Sequence, residues 1–370
     1  MPINLRHDDP HYRFLANTLS RRPAEARRQL AANGWNWHKL ARIAADEAVL
    51  SALHSHLSDL QIFSELPEDI RDFLASYAQI NAVRNRQVLE ELESHAVLLN
   101  SAGIKPVVLK GLAFLLTGVY ANQADRLLLD IDLLVPESQL NQAYGLFLRQ
   151  GLQPENRDPL AFARHHIPAL RHPNRITLEL HRQLSKVSEP VLLSPEQVIA
   201  RARPFQLGKA TVRIPHPDDL MVHLVVHSQL HHGYSHRIWP PLRAQYDLLL
   251  LQKRFTNELN WPSIRARFEK IHKAALLDLH LLQIRNTLEL EPPYAIPLCT
   301  ATKLRRLHRR ILWRTPPIRF LDPVFLFQSI FRNRFDLASK LLRSTTGRNF
   351  LLTLPFRPFL YRKLISSFQK

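Results

Sequence analysis

Apolar residues recur at helical spacing through the first quarter of the chain, as in Leu40, Ile43, Ala44, Leu50, Leu53 and Leu57, and later in Leu89, Leu92, Val97 and Leu98. Pro67 followed by Glu68 and Asp69 reads as a helix start, with the acids favoured by the helix dipole. A helix predicted from about Tyr77 to Asn100 stops at Ser101-Ala102-Gly103, where Gly103 can supply a left-handed cap. The pattern then changes. Val107 to Leu109 predicts a strand, Leu112 to about Tyr120 a helix opened by Gly111, Leu129 to Val135 a second strand, and Gln139 to Arg149 another helix closed by Gly151. Arg175 to His181 alternates again, with Thr177, Glu179 and His181 on one face, and Thr211 to Ile214 predicts a short closing strand. Helical spacing returns after Pro215, over Leu220 to about His231, Leu242 to Gln252 and Ser263 to Leu288.

Length and composition refine this picture only in part. A chain of 370 residues with 45% hydrophobic and 22% charged residues is that of a folded protein with two or three packed units. The lone cysteine, Cys299, excludes an intrachain disulfide framework. Met1 to Arg22 lacks a signal-like apolar run and no stretch is apolar enough to span a bilayer, so the expected location is cytoplasmic, with peripheral membrane association through the tail. The net charge is +18, and the segment from Ala301 to Lys370, with 16 Lys and Arg against only Asp322 and Asp336, carries +14 of it. Arginines there interleave with phenylalanines from Phe320 to Phe359. Such a tail suits an anionic membrane surface, favoured over RNA because no RNA-binding motif accompanies it; a helical domain with a basic face is the plainer alternative.

The chemistry centres on Asp130 and Asp132. On a strand they point the same way, while Leu129, Ile131 and Leu133 point to the other side. Two neighbouring carboxylates repel each other, and a divalent cation with oxygen ligands offsets that repulsion. The plainer reading is a solvated edge strand with two surface acids. A two-ion site needs a third carboxylate, and Glu179 is the acid that another strand-like segment offers on its polar face; its plain alternative is a cross-strand salt bridge. Gly111 at a helix start lets backbone approach an anion, and Lys110 and Arg126 are the nearby cations, for which solvated charge is the competing reading. His223, His227 and His231 fall at i, i+4 and i+8 on one helix face, but a straight helix separates the outer two by about 12 Å, too far for one zinc ion.

Leu109-Lys110-Gly111, Tyr120, Arg126, Asp130-Ile131-Asp132-Leu133-Leu134-Val135 and Leu178-Glu179-Leu180-His181 resemble the uncharacterised nucleotidyltransferase family of the DNA polymerase β superfamily. The similarity runs from about Ile80 to about Leu250 and takes in His227 and Asp247. It implies an α+β fold in which a small mixed nucleotidyltransferase sheet carries packed helices between N- and C-terminal helical regions. The expected divisions are 1–95, a catalytic domain at 96–215, a helical region completing the site at 216–300, and the tail at 301–370. The implied reaction moves an NMP from an NTP to a hydroxyl of an acceptor (protein, peptide, RNA, sugar or small molecule) and releases pyrophosphate. It uses Mg²⁺ or Mn²⁺, with two ions. By the same resemblance Asp130, Asp132 and Glu179 are catalytic metal ligands, Lys110, Gly111 and Arg126 meet the triphosphate, and His181, His227 and Asp247 lie on the acceptor side. Two positions depart from the pattern: Leu112 follows the turn glycine where Ser or Gly is common, and Glu179 stands where Asp is more frequent. The competing classes are an Asp-x-Asp nucleotide-sugar transferase and a non-catalytic nucleotide-binding scaffold whose basic tail docks to membrane or polyanion.

Overall fold

Alternating segments and helical segments meet around one mixed sheet in a computed structural model, which describes residues 9–31, 35–155, 167–172, 176–184, 192–231 and 241–297. Cys299 and the basic tail lie outside the described residues. The strands are β1 (Val107–Val108), β2 (Asp130–Leu134), β3 (Gln153–Pro154), β4 (Leu170–Arg171), β5 (Thr177–His181), β6 (Arg203–Leu207) and β7 (Ala210–Ile214), in the order β3-β4-β5-β2-β1-β7-β6. β2 pairs parallel with β5, and β1 parallel with β7; the remaining neighbours are antiparallel. The fold is therefore α+β with a small mixed sheet, as the resemblance implies. The segment expected to close the sheet, β7, lies inside it, because β6 pairs outside it as a hairpin arm.

Helices α1 (Pro10–Leu19), α2 (Pro23–Leu30), α3 (Trp37–Asp46) and α4 (Leu50–Asp59) precede one long helix, α5 (Glu68–Ser101). α5 starts at the predicted Pro67 turn, nine residues ahead of Tyr77, and Gly103 takes φ +75° just past its end. Then come α6 (Lys110–Leu116), α7 (Glu137–Arg149), α8 (Pro195–Arg201), α9 (Pro217–Val226), α10 (Leu242–Arg254), α11 (Trp261–Lys270) and α12 (Ala274–Leu288). The helical spacing from Ser263 to Leu288 is divided between α11 and α12, with a corner where His272 adopts φ +56°. No glycine or proline marks that corner; instead the backbone N–H groups of His272 and Lys273 cap the carbonyls of Glu269 and Phe268. No helix among the described residues is long and apolar enough to cross a membrane.

α5 ties these parts together. Its buried stripe holds Ile70, Leu74, Val88, Leu92, Ala96 and Leu99, but Asn81 and Asn85 occupy the middle of it. They face backbone rather than side chains. Asn85 Nδ2 donates to the carbonyls of Gln123 and Arg126, both at 2.7 Å, Asn81 Nδ2 to that of Ala124 at 2.6 Å, and the half-buried Arg84 Nε to that of Leu128 at 2.8 Å. Further along, Glu91 accepts from Ile176 N ahead of β5, and Asn100 exchanges two hydrogen bonds with Thr211 of β7. A buried carbonyl without a donor loses more than a formed hydrogen bond gains, so these side chains are what permit the loop before β2 to be buried. In α4, His56 is 3% exposed and its Nε2 shares a hydrogen bond with the Tyr246 hydroxyl of α10, 2.5 Å away. Burial, assisted by the charge of Arg21, holds its imidazole down to about 4.

Two outcomes follow. Asn85→Leu keeps the branched outline of the side chain but takes the Asn85 donor from the Gln123 carbonyl and leaves that of Arg126 with Asn81 Nδ2 at 3.4 Å, and urea unfolding of the variant is expected to show a loss of about 1–3 kcal/mol. Because the folded His56 binds its proton less readily than the unfolded chain, its contribution is intact above pH 6.5 and is lost as pH falls from 6.5 toward about 4. The loss is on the order of 3 kcal/mol, and it is read as a stability-versus-pH slope that His56→Gln flattens.

Candidate active site

β2 and β5 pair residue for residue, from Asp130 against Thr177 to Leu134 against His181, which sets Asp132 directly beside Glu179. Alternation along both strands puts Asp130, Asp132, Glu179 and His181 on one face, while Ile131, Leu133, Leu178 and Leu180 are buried in the core on the other. Asp132 is 2% exposed, and its compensation is local. Lys110 Nζ donates to Asp132 Oδ1 at 2.5 Å and to Glu179 Oε2 at 3.5 Å. His181 Nε2 lies 2.7 Å from that same Asp132 oxygen and 3.4 Å from that same Glu179 oxygen.

The electrostatics follow from this crowding. Burial works against the Lys110 ammonium, but Asp132, Glu179 and Asp130 outweigh it and raise its pKa above the ordinary lysine value. Burial also works against a charged His181, and its hydrogen bonds to Asp132 and Glu179 carry the net shift upward. The half-buried Asp130 is pushed up to about 6 by burial first and by Asp132 second.

Lys110 reaches the acids from an unusual backbone conformation, with φ +52°. The other non-glycine residues of positive φ among the described ones, Arg21, Ala48, Gln61, His272 and Glu289, all follow the end of a helix, where a left-handed cap is ordinary. Lys110 opens one. Such strain costs on the order of 1–3 kcal/mol and persists where the surroundings impose it, here with the ammonium held on Asp132 and Glu179. The adjacent Gly111 is explained by packing: a Cβ there would lie 2.8 Å from Leu128 Cδ2 and 3.3 Å from the Arg126 guanidinium carbon. The glycine lets Arg126 and Leu128 approach, and α6 behind it is only seven residues long. Leu112 turns into the core.

Arg126 is buried and held. Its Nε donates to Asp247 Oδ1 at 2.9 Å, and the Tyr120 hydroxyl donates to the same oxygen at 2.5 Å. Burial lowers the Arg126 pKa and Asp247 more than restores it. A cavity of about 400 Å³ opens in front of these groups. Lys110, Asp130, Glu179 and His181 line it, as do Arg126 and Asp247, His223, His227, Ser228 and Arg243. Of the nine residues singled out in the sequence, eight line this cavity and the ninth, Asp132, sits behind Lys110 and His181. His181 and Asp247, expected on the acceptor side, line the cavity and also contact Asp132 and Arg126 respectively. α9 passes into a π-helical turn at His227–His231, which breaks the regular i, i+4, i+8 histidine spacing; the His223 and His227 rings meet edge to face at 6.2 Å. Arg243 had no sequence signal, being one charge in a polar helix start, whereas the histidine spacing did point to His223.

Ligand atoms of Asp132, Glu179 and His181 all lie within 4.8 Å of one another, so two carboxylate oxygens and an imidazole nitrogen converge as a set that fits a divalent cation. Asp130 adds a carboxylate on the same face. A family model described as an uncharacterised nucleotidyltransferase matches residues 33–289. No curated protein and no solved structure matches the chain.

Since Lys110 occupies the same two carboxylate oxygens that a cation would take, removing it frees them. Lys110→Met is expected to tighten divalent-ion binding roughly tenfold, the equivalent of about 1.4 kcal/mol, in calorimetric titration; unchanged or weaker binding would place the ion elsewhere.

Proposed function

The chain belongs to the uncharacterised nucleotidyltransferase family, and on that footing we propose that it transfers a nucleoside monophosphate from an NTP to a hydroxyl of an acceptor, with release of pyrophosphate. The observation that carries this reading is the pairing of Asp132 with Glu179 across β2 and β5, beside Asp130 and in front of a cavity that Arg126 also lines. Asp130, Asp132 and Glu179, joined by His181, would hold the divalent ions. Two such ions, Mg²⁺ or Mn²⁺, when bound neutralise charge on the triphosphate and make an acceptor hydroxyl easier to deprotonate.

The chain's own residues do the positioning. His181 and Lys110 fix the orientation of Asp132, whose carboxylate has almost no water to hold it. Asp247 and Tyr120 fix Arg126, so its guanidinium presents a charge that needs no reorganisation when a polyphosphate enters. With ions on Asp132 and Glu179, the Lys110 ammonium would be available to the triphosphate, and Gly111 keeps the space beside Arg126 open. His227 serves the acceptor side, and His223, Ser228 and Arg243 line the same cavity. A nucleotide-sugar transferase of the Asp-x-Asp type carries a doubly wound strand–helix array ahead of its acids. Here, among the described residues, β1 is the only strand before β2.

Incubation with labelled NTPs and divalent metal is expected to give label transfer or pyrophosphate release that falls to background in Asp130→Ala/Asp132→Ala, with circular dichroism showing that the variant folds. Turnover surviving that double substitution would sink the assignment.

A further inference from the structure

We propose that the ion held by Asp132, Glu179 and His181 is ligated by the His181 imidazole, and that this nitrogen makes the site select a first-row transition ion of the Mn²⁺ class over Mg²⁺. The proposal rests on the reading of this cluster as the metal-holding part of a nucleotidyltransferase. Its basis is geometric. One oxygen of Asp132 and one of Glu179 converge on a single spot, shown by their sharing the same two cationic neighbours, Lys110 Nζ and His181 Nε2. The imidazole is 2% exposed, at the last residue of β5, with Nε2 aimed at that spot. Burial leaves it little freedom to swing away when an ion displaces the ammonium of Lys110 from the two oxygens.

Donor chemistry then decides the class of ion. Mg²⁺ demands near-octahedral oxygen ligands and gives up water reluctantly, whereas imidazole is a ligand of first-row transition ions, and of these Mn²⁺ is the one suited to a site whose other donors are carboxylates. A site restricted to carboxylates has no such preference built in. Here the third inward-facing group is a histidine two residues beyond Glu179 on the same strand face, so the nitrogen comes with the fold.

The test uses the full chain. Calorimetric titration with Mn²⁺ and with Mg²⁺ is expected to show Mn²⁺ binding about tenfold tighter or more. Pulsed EPR of the Mn²⁺-loaded protein is expected to show nitrogen modulation from a ligated imidazole. His181→Asp, which keeps an oxygen donor, should retain Mn²⁺ but lose both the modulation and the preference. His227→Gln should keep both, which assigns the signal to His181. If the His181 variant does not fold, the wild-type spectrum and the His227 control still decide. A wild-type spectrum without nitrogen modulation, or an ion preference unchanged in His181→Asp, would overturn the proposal. NTP turnover with Mg²⁺ in a protein lacking the nitrogen signal overturns this inference alone. A clear nitrogen signal without NTP turnover supports it and overturns the transferase reading instead.

Discussion

Asp132 is a carboxylate with almost no water to solvate it, and the arrangement around it follows from that fact. An unpaired buried carboxylate is among the costliest things a fold can contain. Two cationic or donor groups, Lys110 and His181, meet the same oxygen of Asp132, and both also reach Glu179. To bring Lys110 there the chain accepts left-handed backbone at the start of α6, and to bring His181 there it extends β5 in step with β2 to its last residue. The result is a cluster that is stable without a metal, because the lysine supplies the positive charge, yet remains chemically suited to one.

A second set of constraints comes from α5. The loop from Gln123 to Leu128 carries Arg126 to the cavity and feeds directly into β2, and it is buried where α5 crosses it. Its carbonyls are taken up by Asn81, Arg84 and Asn85, three residues at adjacent turns of one helix. Arg126 is thus fixed twice, through its carbonyl by α5 and through its guanidinium by Asp247 of α10. Helices that precede the sheet and helices that follow it share the work of placing one side chain.

Much of the site was legible in the sequence because strands expose their faces through alternation. Asp130, Asp132, Glu179 and His181 could be assigned to one face from period two alone, and pairing of the two strands then brought them together. What alternation could not disclose was which side chain meets which: His181 belongs with Asp132, and Asp247 with Arg126, because both partnerships join segments far apart in the chain. The reason for Gly111 was likewise hidden, since it depends on Leu128 and Arg126 packing against it. Asn81 and Asn85 were readable in principle, as two amides interrupting an apolar stripe. The corner between α11 and α12 was not, for it carries no residue that breaks helices.

The parallel pairing of β2 with β5 also sets an order of assembly. Its partners are 47 residues apart in the chain, as in Asp132 with Glu179, and parallel strands cannot be joined by a tight turn, so the loop between them must be closed before any contact rewards it. A slip of one residue would turn Glu179 and His181 to the opposite face and deliver two leucines to Asp132. Lys110 meets Asp132 beside the antiparallel β1–β2 pair, across only 22 residues, whereas Glu179 and His181 join the cluster solely through the parallel pairing and its longer loop.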